Sequence, residues 1–358
     1  MYYDFNTIAE EELKSLYRLA IARGQEAAAS FQQAYGRNTP GDRIEFNFRT
    51  ADFFNAEAAD RDGFHEVSIT SPTIYLLRTL FEVILQHSGV MPEVRLPRIR
   101  KEDRITKVPF MIAPQQFAKV RKYSATTDPN RLRAAGILAD FCSSFITLHE
   151  LGHVIFGHTK YARLHYGDLR LMELYGHGDK IVAHYSTLQS WEYDADAVAG
   201  RLIVQYIETF ANLVRNDPSL NAVFGGLDHD GNLIERCASL VTISLNVMFT
   251  YMAQAIVKLN KYASHPHPLF RASYTKDFIM HSLDERGTAD IALIKQFNMH
   301  YYDQFADAML SMRLLPYPTL TSELADDISR ATRQIMERAH EVRQTHSQWS
   351  WVPADDWF

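Results

Sequence analysis

The stretch FITLHELGHVIFGHTK, Phe145 to Lys160, decides how the rest of the chain is read. On an α-helix, residues four apart lie one turn above each other, so His149 and His153 can aim two imidazoles at one point. Glu150 falls beside that point and not on it. Zinc hydrolysis needs this division of labour: two neutral nitrogens hold the metal, and an adjacent carboxylate takes a proton from the attacking water. HExxH also arises by chance on surface helices whose histidines merely share a face. Leu148, Leu151, Val154, Ile155 and Phe156 argue against that here, because their spacing predicts a buried helix.

A catalytic zinc site takes three protein ligands and leaves a fourth position for water. The metzincin pattern needs Gly three residues after His153 and His six after, where this chain has Phe156 and Thr159. A thermolysin-like spacing points to Glu173, but four residues on stands His177 where that family carries Asp. The remaining candidate is Glu192 in SWEYDADAVAGRLI. Glu192 and Asp196 share a helix face, so Glu192 can reach the metal while Asp196 accepts a hydrogen bond from the spare nitrogen of a ligating histidine. The plain alternative is an acidic helix start with Asp194 and Asp196 in solvent near the positive end of the dipole. Trp191 and the apolar run after Asp196 speak against it.

A third element, SHPHPLFRASY, sets Arg271 six residues after His265. Pro266 and Pro268 stiffen the turn. Arg271 is placed to pair with Asp196, and His265 to donate a hydrogen bond to a developing oxyanion. Read alone, the element is a proline-rich helix stop with surface histidines.

The chain has 358 residues, 46% of them hydrophobic, enough for one large domain or two ordinary ones. A net charge of −6 gives no global attraction to nucleic acid or anionic membrane, so neither partner is expected. Cys142 and Cys237 lie in apolar runs outside any CxxC pair and read as buried thiols of a reducing compartment. The amino terminus, MYYDFNTIAEEELKSLY, has no basic and apolar leader, which points to a cytoplasmic protein. Cys237–Val257 is uncharged and long enough to span a bilayer, but Ser239, Thr242, Ser244, Asn246, Thr250 and Gln254 favour a buried core helix.

Helical spacing covers Ile8 to Tyr35. RIEFNFRT and FHEVSIT alternate apolar and polar residues and, with the acidic stretch around Asp60 to Gly63 as a loop, predict a small β-hairpin. An amphipathic helix follows Pro72, and a basic linker runs from Arg95 to Lys122. Later helices are predicted at Leu132–His158, Ser186–Arg215, Leu233–Tyr262, Ile291–Met312 and Leu320–Thr345. The expected class is mainly α with a small antiparallel β element. Residues 1–125 form an N-terminal helix, sheet and linker region, 126–285 the catalytic core, and 286–358 a helical extension. The tail HSQWSWVPADDWF carries Trp349, Trp351 and Trp357, which should pack back on the body.

His149-Glu150-His153, Glu192-Asp196 and His265-Pro266-Arg271 together resemble the gluzincin metallopeptidases of the HtpX and CAAX-prenyl-protease type, as does His158 in the trailing FGHT. Within that group the likeness is closest to the Lit-type phage-exclusion peptidases and covers roughly Arg43 to Tyr274. The resemblance implies a zincin-like helical core and one Zn2+ per chain on His149, His153 and Glu192. It implies Glu150 as general base, Asp196 and Arg271 as a brace, and His265 at the substrate or its tetrahedral intermediate. It further implies a cytosolic protein or peptide substrate, with a translation elongation factor cleaved during phage infection as the family's example, and an activating peptide or partner protein. Two other readings stay open. One is a regulatory binding module with a structural or latent zinc site, closed by a fourth ligand such as His158 or His184. The other is a membrane-associated quality-control protease using Cys237–Val257.

Overall fold

A computed structural model describes residues 2–36, 42–94, 108–109, 111–113, 128–167, 171–172, 185–228, 230–253, 265–311 and 322–352. In chain order the elements are α1 (Glu11–Tyr35), β1 (Ile44–Arg49), β2 (Ala56–Arg61), β3 (Phe64–Thr70), α2 (Ser71–Ile84), α3 (Pro129–Ile155), α4 (His158–Tyr166) and the two-residue β4 (Leu171–Met172). There follow α5 (Tyr185–Asn216), α6 (Pro218–Val223), α7 (Leu233–Ala253), α8 (Pro268–Arg286), α9 (Ile291–Ser311) and α10 (Ser322–His346). The class is mainly α with a small sheet, and the sheet is mixed where an antiparallel hairpin was expected.

Its strand order is β1-β3-β2-β4. β1 and β3, the two runs expected to pair as a hairpin, run parallel, with Phe46 opposite Val67. The hairpin partner of β3 is β2, AEAADR, with Ala58 opposite Val67 and Gly63 turning at φ +87°. Ala, Glu and Asp are poor strand formers, so this segment reads as a loop. Burial overrides propensity: Ala56, Ala58 and Ala59 are sealed in, and Glu57 pairs with Arg49 and accepts from Ser68. β2 and β3 both lie against α3.

Helix α3 is the centre of the bundle and packs on α1, α2, α5 and α7. Asp128 caps its first turn by accepting from the amides of Asn130 and Arg131, with Pro129 at the first helical position. The helix ends at Ile155, earlier than the expected His158, because Gly157 takes φ +73°. His158 thereby becomes the first residue of α4.

Helix α2 differs from the expected amphipathic form, since all its residues from Ser71 to Ile84 are buried. Arg78 is tolerated inside because its guanidinium bonds Glu82, Glu10 and Glu12. Helix α8 is an addition to the expected set, and His267 caps it by accepting from the Leu269 amide at 3.3 Å. Cys142 and Cys237 are free and buried. α7 is buried over most of its length, and its polar side chains are satisfied at home: Ser239 donates to the Ile294 carbonyl, Thr242 to Ala238 and Ser244 to Leu240. It is the one helix among the described residues long and apolar enough to cross a membrane.

One apolar cluster runs from Ile8 to Val352. The tail returns to it, as expected: the Trp351 amide donates to the Ile155 carbonyl at 2.7 Å, and the Trp349 ring sits 5.1 Å from Tyr161. Trp357, Glu173, His177, His184 and most of the basic stretch Arg95–Lys122 lie outside the described residues.

Candidate metal centre

Three segments distant in sequence meet at the His149 end of α3. The packing of α3 against α5 sets Glu192 opposite the histidine pair, and this approach depends on Gly152. A Cβ there would lie 2.9 Å from Ala195 Cα and 3.2 Å from its carbonyl oxygen, closer than real side chains come. His149 Nε2 and His153 Nε2 are 3.2 Å apart with their rings nearly perpendicular at 87°. Glu192 Oε2 lies 3.3 Å from His149 Nε2, and Oε1 lies 3.4 Å from His153 Nε2. All three residues are buried, at 1%, 2% and 5% exposure.

The other sequence-predicted residues gather around them. Glu150 is buried on the same turn of α3. Asp196 accepts from His149 Nδ1 at 2.8 Å and from Arg271 Nε and Nη2, each at 2.8 Å. Arg271 also reaches Glu192 Oε2 at 3.6 Å and lies over the Phe249 ring. His265 Nε2 is 3.4 Å from Glu192 Oε1. His265 and His267 are buried, which excludes the surface-histidine reading of SHPHP, and Asp194 and Asp196 are fully buried, which excludes a solvated acidic helix start.

Electrostatics shift the three carboxylates by different amounts. Burial raises the Glu192 carboxyl, but neighbouring His265, His149 and His153 outweigh it, leaving Glu192 well below the usual range. Burial also raises Asp196, and Arg271 followed by His149 more than offsets it, so Asp196 stays ionised. Asp194 is pushed up to about 6 by burial, with Arg343 opposing.

These groups fit a cation. The carboxylate of Asp196 at His149 Nδ1 keeps a proton there, so His149 Nε2 carries a lone pair directed at His153 Nε2. His153 Nε2, 3.2 Å away, can offer a second lone pair, and a cation between the two nitrogens would accept both. Glu192 Oε2 faces the same space, buried and without a hydrogen bond among the described residues. Each residue offers one donor atom, and the three atoms lie within 4.8 Å of one another, so the His149-His153-Glu192 group could hold a metal ion.

Four participants hold places that the sequence reading did not give them. Tyr274 donates to Asp196 Oδ2 at 2.9 Å; its place three residues after Arg271, on the same helix face, was the available signal. His158, named as part of FGHT and as a candidate fourth ligand, instead sets its Nδ1 3.1 Å from His153 Nδ1, behind that residue and away from the donor group. Asp194 and Arg343 pair 149 residues apart, which no local pattern announces. No family model, no curated protein and no solved structure matches this chain.

Proposed function

We propose that the protein is a cytosolic zinc-dependent endopeptidase with a zincin-like helical core, acting on peptide bonds of a protein substrate. The observation that carries this reading is the convergence of His149, His153 and Glu192, with Glu150 on the same turn and Asp196–Arg271 bracing His149. Three protein donors leave a coordination position for chemistry, and His158 meets His153 Nδ1 and not the donor group, which favours an open site over a closed structural one.

Zinc, when bound by these three residues, supplies a Lewis acid that acidifies water and polarises a carbonyl. Glu150 takes the proton of the attacking water and returns it to the leaving amine. His265, held beside Glu192, donates to the oxygen of the tetrahedral intermediate. Asp196 and Arg271 fix the tautomer and aim of His149. The burial of Glu150 and the ligands fits a latent enzyme that is opened by an activating peptide or partner protein. The Lit-type likeness extends the proposal to a translation factor as substrate and phage exclusion as the setting.

The test pairs metal content with cleavage of an unfolded protein. Wild type and Glu150→Gln should each bind one zinc, while the variant loses roughly 10²–10⁴-fold in cleavage rate. Equal cleavage by the two at stoichiometric zinc would remove Glu150 from the mechanism.

A further inference from the structure

The ligand His149 is aimed by a short chain, Arg271–Asp196–His149. A second chain runs to the other histidine ligand. Arg343, near the end of α10, donates from Nε and Nη2 to Asp194 Oδ1 at 2.9 and 2.6 Å. Asp194 Oδ2 lies 3.8 Å from His158 Nε2, within ion-pair range though too long for a hydrogen bond. His158 Nδ1 is 3.1 Å from His153 Nδ1. Arg343 is 8% exposed, His158 1% and Asp194 0%. The His158 ring is held flat against Trp191, at 12° and 5.1 Å between centroids, and Trp191 donates to His346 Nδ1 at 3.2 Å.

We propose that α10 is a working part of the metal centre, with Arg343, Asp194 and His158 as positioning residues for His153. The negative charge of Asp194 favours the His158 tautomer that carries its proton on Nε2. His158 Nδ1 is then an acceptor, His153 Nδ1 must donate to it, and His153 Nε2 is left as a lone pair facing His149 and Glu192. A ring that exchanged tautomer would present an N–H to the metal instead, and one that flipped would present a C–H. The C-terminal helix thus does for one ligand what α8 does for the other.

This rests on the metal-binding half of the proposed function and not on proteolysis, so the readouts are zinc affinity by chelator competition and the visible spectrum of the Co2+-loaded full-length protein. Removing Arg343 alone would strand a buried carboxylate, so the informative variant is the neutral pair Arg343→Met with Asp194→Asn. His158→Phe keeps the ring against Trp191 and removes its nitrogens. Each should weaken zinc binding by about 10–100-fold and alter the Co2+ spectrum, and combining them should add little, because they interrupt one chain. Ile335→Ala loosens the same helix, where Ile335 packs near Tyr193 and Tyr274, without touching the chain, and should leave affinity within about twofold. Wild-type affinity and spectrum in the neutral-pair variant, or an equal loss in Ile335→Ala, would overturn the proposal. A wild type that binds zinc but cleaves nothing refutes the peptidase reading alone, whereas one that binds no zinc refutes both.

Discussion

At the scale of single residues, Gly152 shows how a helix contact becomes a ligand distance. On an isolated helix, Gly→Ala is favourable by roughly 1 kcal/mol. Here the added methyl meets the Ala195 backbone at 2.9 Å, so Gly152→Ala should cost about 1–3 kcal/mol in urea unfolding and should weaken metal binding by moving Glu192 away from the histidines. A variant as stable as wild type would mean that α3 and α5 have slack at this point. The residues that sequence reading placed, His149, Glu150, His153, Glu192, Asp196, His265 and Arg271, share one property: each pair that matters lies on a single helix or a stiff turn, where spacing alone fixes direction. Arg343 had no such signal, because on a helix as polar as α10 it looks like any solvated arginine until the fold brings Asp194 to it.

At the scale of elements, α7 is the case where composition and structure had to be weighed together. Its hydroxyls bond carbonyls within the protein, and Leu240 is fully buried in the apolar cluster. Leu240→Ala should therefore cost about 2–5 kcal/mol, read from the urea midpoint at unchanged slope. An unchanged midpoint would mean that Leu240 does not face a packed interior. The helices were legible because apolar spacing and caps are local, to within a few residues at most ends. The sheet was only half legible. β1 and β3 announce themselves by alternation, but their parallel pairing depends on β2, whose alanines and acids are strand residues only because α3 covers them. At the α3–α4 break, the need for glycine at position 157 was half hidden: its left-handed φ is a local matter, but the Trp349 backbone 2.5 Å from where a Cβ would stand comes from far along the chain.

At the scale of the whole molecule, buried histidines give the fold an acid limit. Burial lowers His65 from 6.5 to about 4, and lowers His346 to about 3, where the nearness of His158 adds to the effect. Both are neutral in the fold at a pH where the unfolded chain already binds protons. Stability is therefore fully present above about pH 6.5 and declines as pH falls from there toward 4, by roughly 1.4 kcal/mol per pH unit for each such histidine. Urea midpoints measured from pH 7.5 to 5 should show this decline, and His65→Gln should flatten it. An unaltered slope in that variant would mean that His65 is already protonated in the native state. His346 joins this acid limit to the carboxy-terminal helix, which holds Arg343 in the Asp194 pocket. That arrangement also has an order in time. During synthesis His149, His153 and Glu192 leave the ribosome long before Arg343, so a growing chain carries the candidate metal ligands without the arginine proposed to aim one of them. On the proposed function, a growing chain would bind its zinc weakly until α10 has been made and has docked.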